Sequence, residues 1–188
     1  YLAQGAAVER RLVFLKPDLL VGADIVRAPA GQTHRAEQFF RFGPGSLTAA
    51  GHAAFWQGGR TCAQLQWLSG QQAGLYDAPC APAYNAPAKA PALRLEAGAA
   101  GTAALVWVLS LGGTCQAELL PVTTGAGEPV APSAAGAVRI RRDGQTCTVL
   151  FSWQAGAHEA GLLCAGGCEA HGCTAVFTPQ HPQGLCLD

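Results

Sequence analysis

The 188-residue sequence contains no methionine, and lysine occurs only at Lys16 and Lys89. A chain without even an initiator Met reads as a mature, processed or excised product. Charge is scarce as well: 13 % of residues are charged, 12 basic against 12 acidic, for a formal net charge of zero. That balance removes the electrostatic case for nucleic acid or an anionic membrane, which needs a basic surplus or stripe. No stretch repeats apolar residues at helical spacing over three turns, so no amphipathic helix is predicted. Residues 1–20 lack the basic start, apolar centre and small-residue cleavage site of a secretory signal, as expected of a mature chain.

What is abundant is apolar. Hydrophobic residues reach 49 %, too many for a disordered tail, and a chain this long buries ~70 % of its extended surface when folded. The uncharged run from Ala97 to Ala117 has the length of a membrane span. It is broken by Gly98, Gly101, Gly112 and Gly113, and its apolar centre, Leu105 to Leu109, is only strand-sized. A buried strand is the expectation there, and no membrane span.

The periodicity that does appear is two. In Thr33–Phe42, Arg35, Glu37, Phe39 and Arg41 fall on one parity and His34, Ala36, Gln38, Phe40 and Phe42 on the other, as in a strand with one wet face. Glu9–Lys16 and Asp18–Arg27 precede it as strands, with Pro17-Asp18 as a turn and Gly22 as a candidate bulge, and the three together predict an antiparallel meander. Further strands are expected at Thr61–Leu68, Ala92–Glu96, Thr102–Leu111 and Cys115–Leu120. Ala137–Arg142 and Thr146–Trp153 are joined by the hairpin dipeptide Asp143-Gly144. Gly161–Cys164 and Cys173–Phe177 are a candidate pair. Segments 77–91 and 121–136, rich in Pro, Gly and Ala, read as long loops. About ten short strands predict an all-β antiparallel sandwich or folded meander, one domain over 1–188 with a Cys-rich segment at 146–188.

Eight cysteines, Cys62, Cys80, Cys115, Cys147, Cys164, Cys168, Cys173 and Cys186, are an even and dispersed set. Such a set points to disulfides, and so to a secreted or periplasmic protein; spacing alone does not choose the pairs. The alternatives are buried thiols in a cytosolic protein, or a zinc site using the C-terminal cysteines with His158, His171 and His181. The tight C-x2-C knuckle or paired histidines of such a site are missing. His158-Glu159 opens like a zinc-protease helix, but Leu162 stands where the second histidine belongs. No serine lies in a G-x-S-x-G elbow, and no glycine-rich stretch has the frame of a phosphate loop. Neither cofactor nor metal is expected. Among the tryptophans, Trp107 and Trp153 sit in the most apolar runs and read as core. Trp56, flanked by Phe55 and Gln57-Gly58-Gly59, is the candidate for stacking on a sugar.

The run from Arg11 to Val26 (RLVFLKPDLLVGADIV), followed by His34–Phe42 (HRAEQFFRF), resembles the β-sheet region of the heparinase II/III-like family. Members of that family read Arg, an apolar run, Pro-Asp-Tyr, a second apolar run, Asp, then an aromatic-rich strand. Ala81–Asn85, Pro91–Arg94 and Ala103–Leu109 extend the likeness, which covers about residues 8–110. The resemblance implies the C-terminal β-sandwich portion of a polysaccharide lyase, preceded by an α/α toroid as its partner. Such enzymes cleave uronic-acid-containing polysaccharide by abstracting the C5 proton and expelling the 4-linked sugar, which requires a carboxylate neutraliser, a base and an acid. The groups serving those roles, and the zinc ligands of several members, lie upstream of the matched segment. No catalytic or metal residue is therefore carried over, and Asp24 is expected to be structural. The Cys-rich tail departs from the family pattern. The alternative is a non-catalytic extracellular protein, either carbohydrate-binding, a matrix component or self-assembling through edge strands.

Overall fold

The computed structural model describes residues 5–153 and 161–187. In chain order the strands are β1 (Ala7–Leu15), β2 (Leu19–Arg27), β3 (Thr33–Arg41), β4 (Ser46–Ala50), β5 (Ala53–Gly58) and β6 (Thr61–Trp67). They continue with β7 (Gln72–Ala83), β8 (Ala86–Ala100), β9 (Thr102–Leu111), β10 (Gln116–Leu120), β11 (Thr123–Thr124) and β12 (Ala135–Arg142). The last are β13 (Gln145–Ser152), β14 (Leu163–Ala165), β15 (Cys168–Ala170), β16 (Thr174–Thr178) and β17 (His181–Leu187). The fold is all-β and antiparallel, as the alternation predicts, and no described residue is helical. The contacts gather into two compact units, Tyr1–Gly101 with Leu105–Thr114, and Thr102–Ala104 with Cys115–Asp188. The segment 146–188 falls within the second.

In the first unit a six-stranded sheet, β1-β2-β9-β6-β5-β4, faces a three-stranded sheet, β3-β8-β7. Between them lie Ala54, Leu65, Trp67, Leu93, Leu95 and Trp107, with Phe40, Phe42 and Leu47 at the margin. The hairpin β1–β2 forms where expected, Leu15 opposite Leu19. The third expected strand of the meander does not follow. β3 pairs with β8, from Thr33–Ala100 to Arg41–Ala92, and so belongs to the opposite layer. The reason is burial: β2 is buried on both faces over Val21–Val26, a pattern of a central strand. Its second neighbour is the equally apolar β9, which leaves the amphipathic β3 to cross over.

Gly22 is not a bulge. It pairs with Leu12 in unbroken register, and a Cβ there would overlap the six-membered ring of Trp107. Segment 77–91 is not a loop but the far half of the β7–β8 hairpin, turning at Asn85 with φ of +55°. Prolines fit because β7 is an edge strand and because β8 pairs with β3 only from Ala92 onward. Each strand therefore has an open side where a missing N–H costs nothing.

In the second unit β10-β12-β13-β16-β17 form one sheet and β11-β14-β15 another. Val122, Ala135, Ala137, Leu150, Leu163, Ala175 and Phe177 make its core. Asp143 and Gly144 both take positive φ, +50° and +75°, the two-residue turn that the dipeptide predicts. Gly161–Cys164 and Cys173–Phe177 do not pair: β14 pairs with β15, and β16 lies between β13 and β17. The segment 121–136 is mostly loop, with Thr123–Thr124 its only residues in a strand before β12 begins at Ala135. Trp153 is 2 % exposed, and its indole N–H donates to the Pro132 carbonyl at 3.0 Å.

Candidate functional site

The parity read from the sequence places the chemistry. On β3, His34, Ala36, Gln38 and Phe40 turn inward, while Arg35, Glu37, Phe39 and Arg41 face water. β3 is an edge of its sheet and β1 an edge of the other. Between these edges opens a cleft of about 310 Å3, lined by Val8, Arg10, Asp24, Val26, His34, Arg35, Ala36, Glu37, Gln38 and Phe39 among others. A second hollow of about 550 Å3 shares His34 and Arg35 and continues past Ser69, Gly70, Gln72 and Glu96.

The floor is a polar relay. Asp24, 4 % exposed, accepts from Arg10 Nε at 2.5 Å and Nη2 at 2.9 Å, and from Gln38 Nε2 at 2.6 Å. Gln71 Nε2 donates to Gln38 Oε1 at 3.2 Å, Ser69 N–H to Gln71 Oε1 at 2.9 Å, and Val106 N–H to Ser69 Oγ at 2.9 Å. The chain of bonds runs from β1 through β2 and β3 to β9 and thus ties both layers together. Asp24's hydrogen bond keeps the Arg10 guanidinium protonated beyond its ordinary range. With both oxygens of Asp24 engaged, its carboxylate is a tether for Arg10 and Gln38. His34 differs, since its Nε2 is buried without a hydrogen-bond partner among the described residues.

The rim carries fixed charges. Arg35 reaches Glu37 at 2.9 Å and Glu96 at 2.7 Å, while Arg94 lies 3.5 Å from Glu37 and 3.9 Å from Glu96. Such groups can pair with an anion or with hydroxyls at the mouth.

Trp56 lies elsewhere, half-buried on β5. One face stacks on Phe42 at 6.1 Å, its N–H donates to the Gly43 carbonyl at 3.0 Å, and Gly58 leaves room for its ring. Much of the ring and its only donor are thus used within the protein. Trp107 and Trp153 are core, 4 % and 2 % exposed. None of the eight cysteines is in a disulfide. Register explains one case: Cys168 opposes Ala165 while Cys164 opposes Glu169, so the two point to opposite faces of their hairpin. Cys186 Sγ donates to the His171 carbonyl at 3.3 Å. Burial, and then the nearby Cys115, push the Cys147 thiol up to about 11. Cys62 and Cys80 sit half-buried on β6 and β7, Cys173 half-buried beside β16. Among the described residues no three His, Cys, Asp or Glu gather as metal ligands; His158-Glu159 lies outside the described residues. No helix among the described residues is long and apolar enough to cross a membrane.

Sequence reasoning singled out Asp24 but missed Gln38, Gln71 and Ser69 as its company, because the relay joins residues far apart in the chain. The only signal was Gln38 itself, a polar side chain on the apolar parity of β3. Compared with known proteins, the chain matches no family model and no curated protein.

Proposed function

We propose that this chain is the β-sandwich portion of a secreted heparinase II/III-like polysaccharide lyase. It supports the sheet and supplies one wall of the substrate cleft, while the proton-transferring groups lie in an upstream α/α toroid. One observation carries the reading. The likeness spans about residues 8–110, and the first compact unit spans nearly the same stretch, Tyr1–Gly101 with Leu105–Thr114. A segment shared within a family is expected to be a packing unit of this kind. The cleft between β1 and β3 adds support as a recess on the sandwich edge, where His34 Nε2 has no hydrogen-bond partner among the described residues. Secretion belongs to the same reading. The test is the intact mass of the natural protein beside its gene. A reading frame that continues upstream of Tyr1 into a helical half supports the lyase; direct secretion of this unit alone overturns it.

A second reading has its own observation. On edge strand β1 the more exposed parity holds Val8, Leu12 and Phe14, exposed by 48, 53 and 54 %. An open edge with apolar side chains suits strand addition between copies in a self-assembling extracellular protein. Concentration-dependent association in sedimentation, lost on Leu12→Lys, favours that alternative.

A further inference from the structure

The water-facing side of β3–β8–β7 holds an arrangement that the cleft floor does not use. Register sets Arg41 level with Ala92 and Tyr76, and Phe39 level with Arg94 and Gly74. Residues directly opposed share a face, so Phe39, Arg41, Tyr76 and Arg94 stand together. Phe39 is 55 % and Tyr76 37 % exposed, and their rings meet edge to face at 6.4 Å. Gly74 leaves the β7 end of its row without a side chain. Arg35 and Arg94 are engaged by Glu37 and Glu96. Arg41 is exposed and makes no ion pair among the described residues. Three arginines therefore stand against two glutamates on this face, and the uncompensated cation is beside the aromatic pair.

We propose that this face binds an acidic saccharide, its pyranose ring lying on one exposed ring face of the perpendicular Phe39–Tyr76 pair and its carboxylate paired with Arg41. The ring faces of an aromatic are electron-rich and meet the weakly positive C–H groups of a sugar. A guanidinium offers a carboxylate two parallel N–H donors, and the Tyr76 hydroxyl both donates and accepts among sugar hydroxyls. The single surplus charge is too small for nucleic acid, and an apolar partner would leave Arg41 unanswered. The assignment is independent of the lyase reading, and it places binding on the sheet face.

The experiment is calorimetric titration of the 188-residue chain with an alginate tetrasaccharide, and with maltotetraose as the neutral probe of equal length. The alginate probe binds, salt weakens it, and maltotetraose binds at least about tenfold more weakly, as loss of a charge-assisted pair requires. Arg41→Ala and Tyr76→Ala each weaken the alginate probe about tenfold, while Arg41→Lys retains part of the affinity. Circular dichroism and melting of these surface variants match the parent. Absence of alginate binding overturns the proposal, and so does affinity in both alanine variants within about twofold of the parent. Binding lost only on Arg10→Ala or His34→Ala would assign the saccharide to the cleft and overturn it equally. None of these results bears on whether a toroid is encoded upstream, so the two readings fail separately.

Discussion

Asp24 shows how one side chain fixes the surroundings of the cleft. It is buried, and it anchors Arg10 and Gln38 at once. Removing it leaves the buried Gln38 amide without its close acceptor, whereas Arg10, more than half exposed, passes to water; an unsatisfied buried group costs about 1–3 kcal/mol. Asp24→Ala is therefore expected to lower stability by about 1–3 kcal/mol in urea unfolding, with Asp24→Asn costing less because it keeps a hydrogen-bonding group. Glu9 gives the pH dependence. Burial raises its carboxyl, but hydrogen bonds from Arg11 and Arg27 outweigh this and hold it below its ordinary 4.5. A depressed acid stabilises the fold above its unfolded value, and that contribution is lost as pH falls through the folded one. The melting temperature of Glu9→Gln should thus lie below the parent at neutral pH, and the gap should close in the acid range below about 4.5. Thiol chemistry follows exposure in the same way. Cys186 is exposed, whereas Cys147 is held as the neutral thiol by burial and by Cys115. Alkylation at pH 8 followed by peptide mass spectrometry should label Cys186 well before Cys147.

At the scale of elements, the strands that carry one wet and one dry face were legible, and those that do not were legible only in part. The parity of β3 separated His34, Ala36, Gln38 and Phe40 from Arg35, Glu37, Phe39 and Arg41, and this division positions both the cleft and the aromatic face. The partner of β3 was not legible, because nothing local says that β2 takes the distant β9 as its neighbour. The far half of the β7–β8 hairpin was hidden because alternating alanine and proline carry no hydrophobic contrast. Gly22 was noticed for the wrong reason. Its value is close approach: with no Cβ, the strand lets Trp107 lie flat against the backbone. Gly22→Ala forces the indole to move within a packed core and should cost about 1–3 kcal/mol, read as a lower denaturant midpoint at unchanged slope.

At the scale of the whole chain, the even cysteine count argued for sulfur bridges, yet both units hold together in this structure through apolar cores and polar ties. The first unit has Trp67, Leu65, Leu93 and Leu95 at 0–1 % exposure, with the Asp24 relay joining its layers. The second has Leu150, Ala137 and Ala175 at the same level. All-β class, antiparallel pairing and the Asp143-Gly144 turn could be read from residue pattern. The relay and the outward aromatic pair could not, because they depend on which strands meet. The function proposed for the chain rests on a division of labour, with scaffold and sugar-contacting surface here and proton transfer elsewhere. The most direct test is ultraviolet absorbance of the unsaturated uronate after alginate or a glycosaminoglycan is incubated with the natural full-length protein and with this chain alone. The account predicts product from the full-length protein and none from the chain by itself. Turnover by the isolated chain, or none by the full-length protein on any polyuronate, would contradict it.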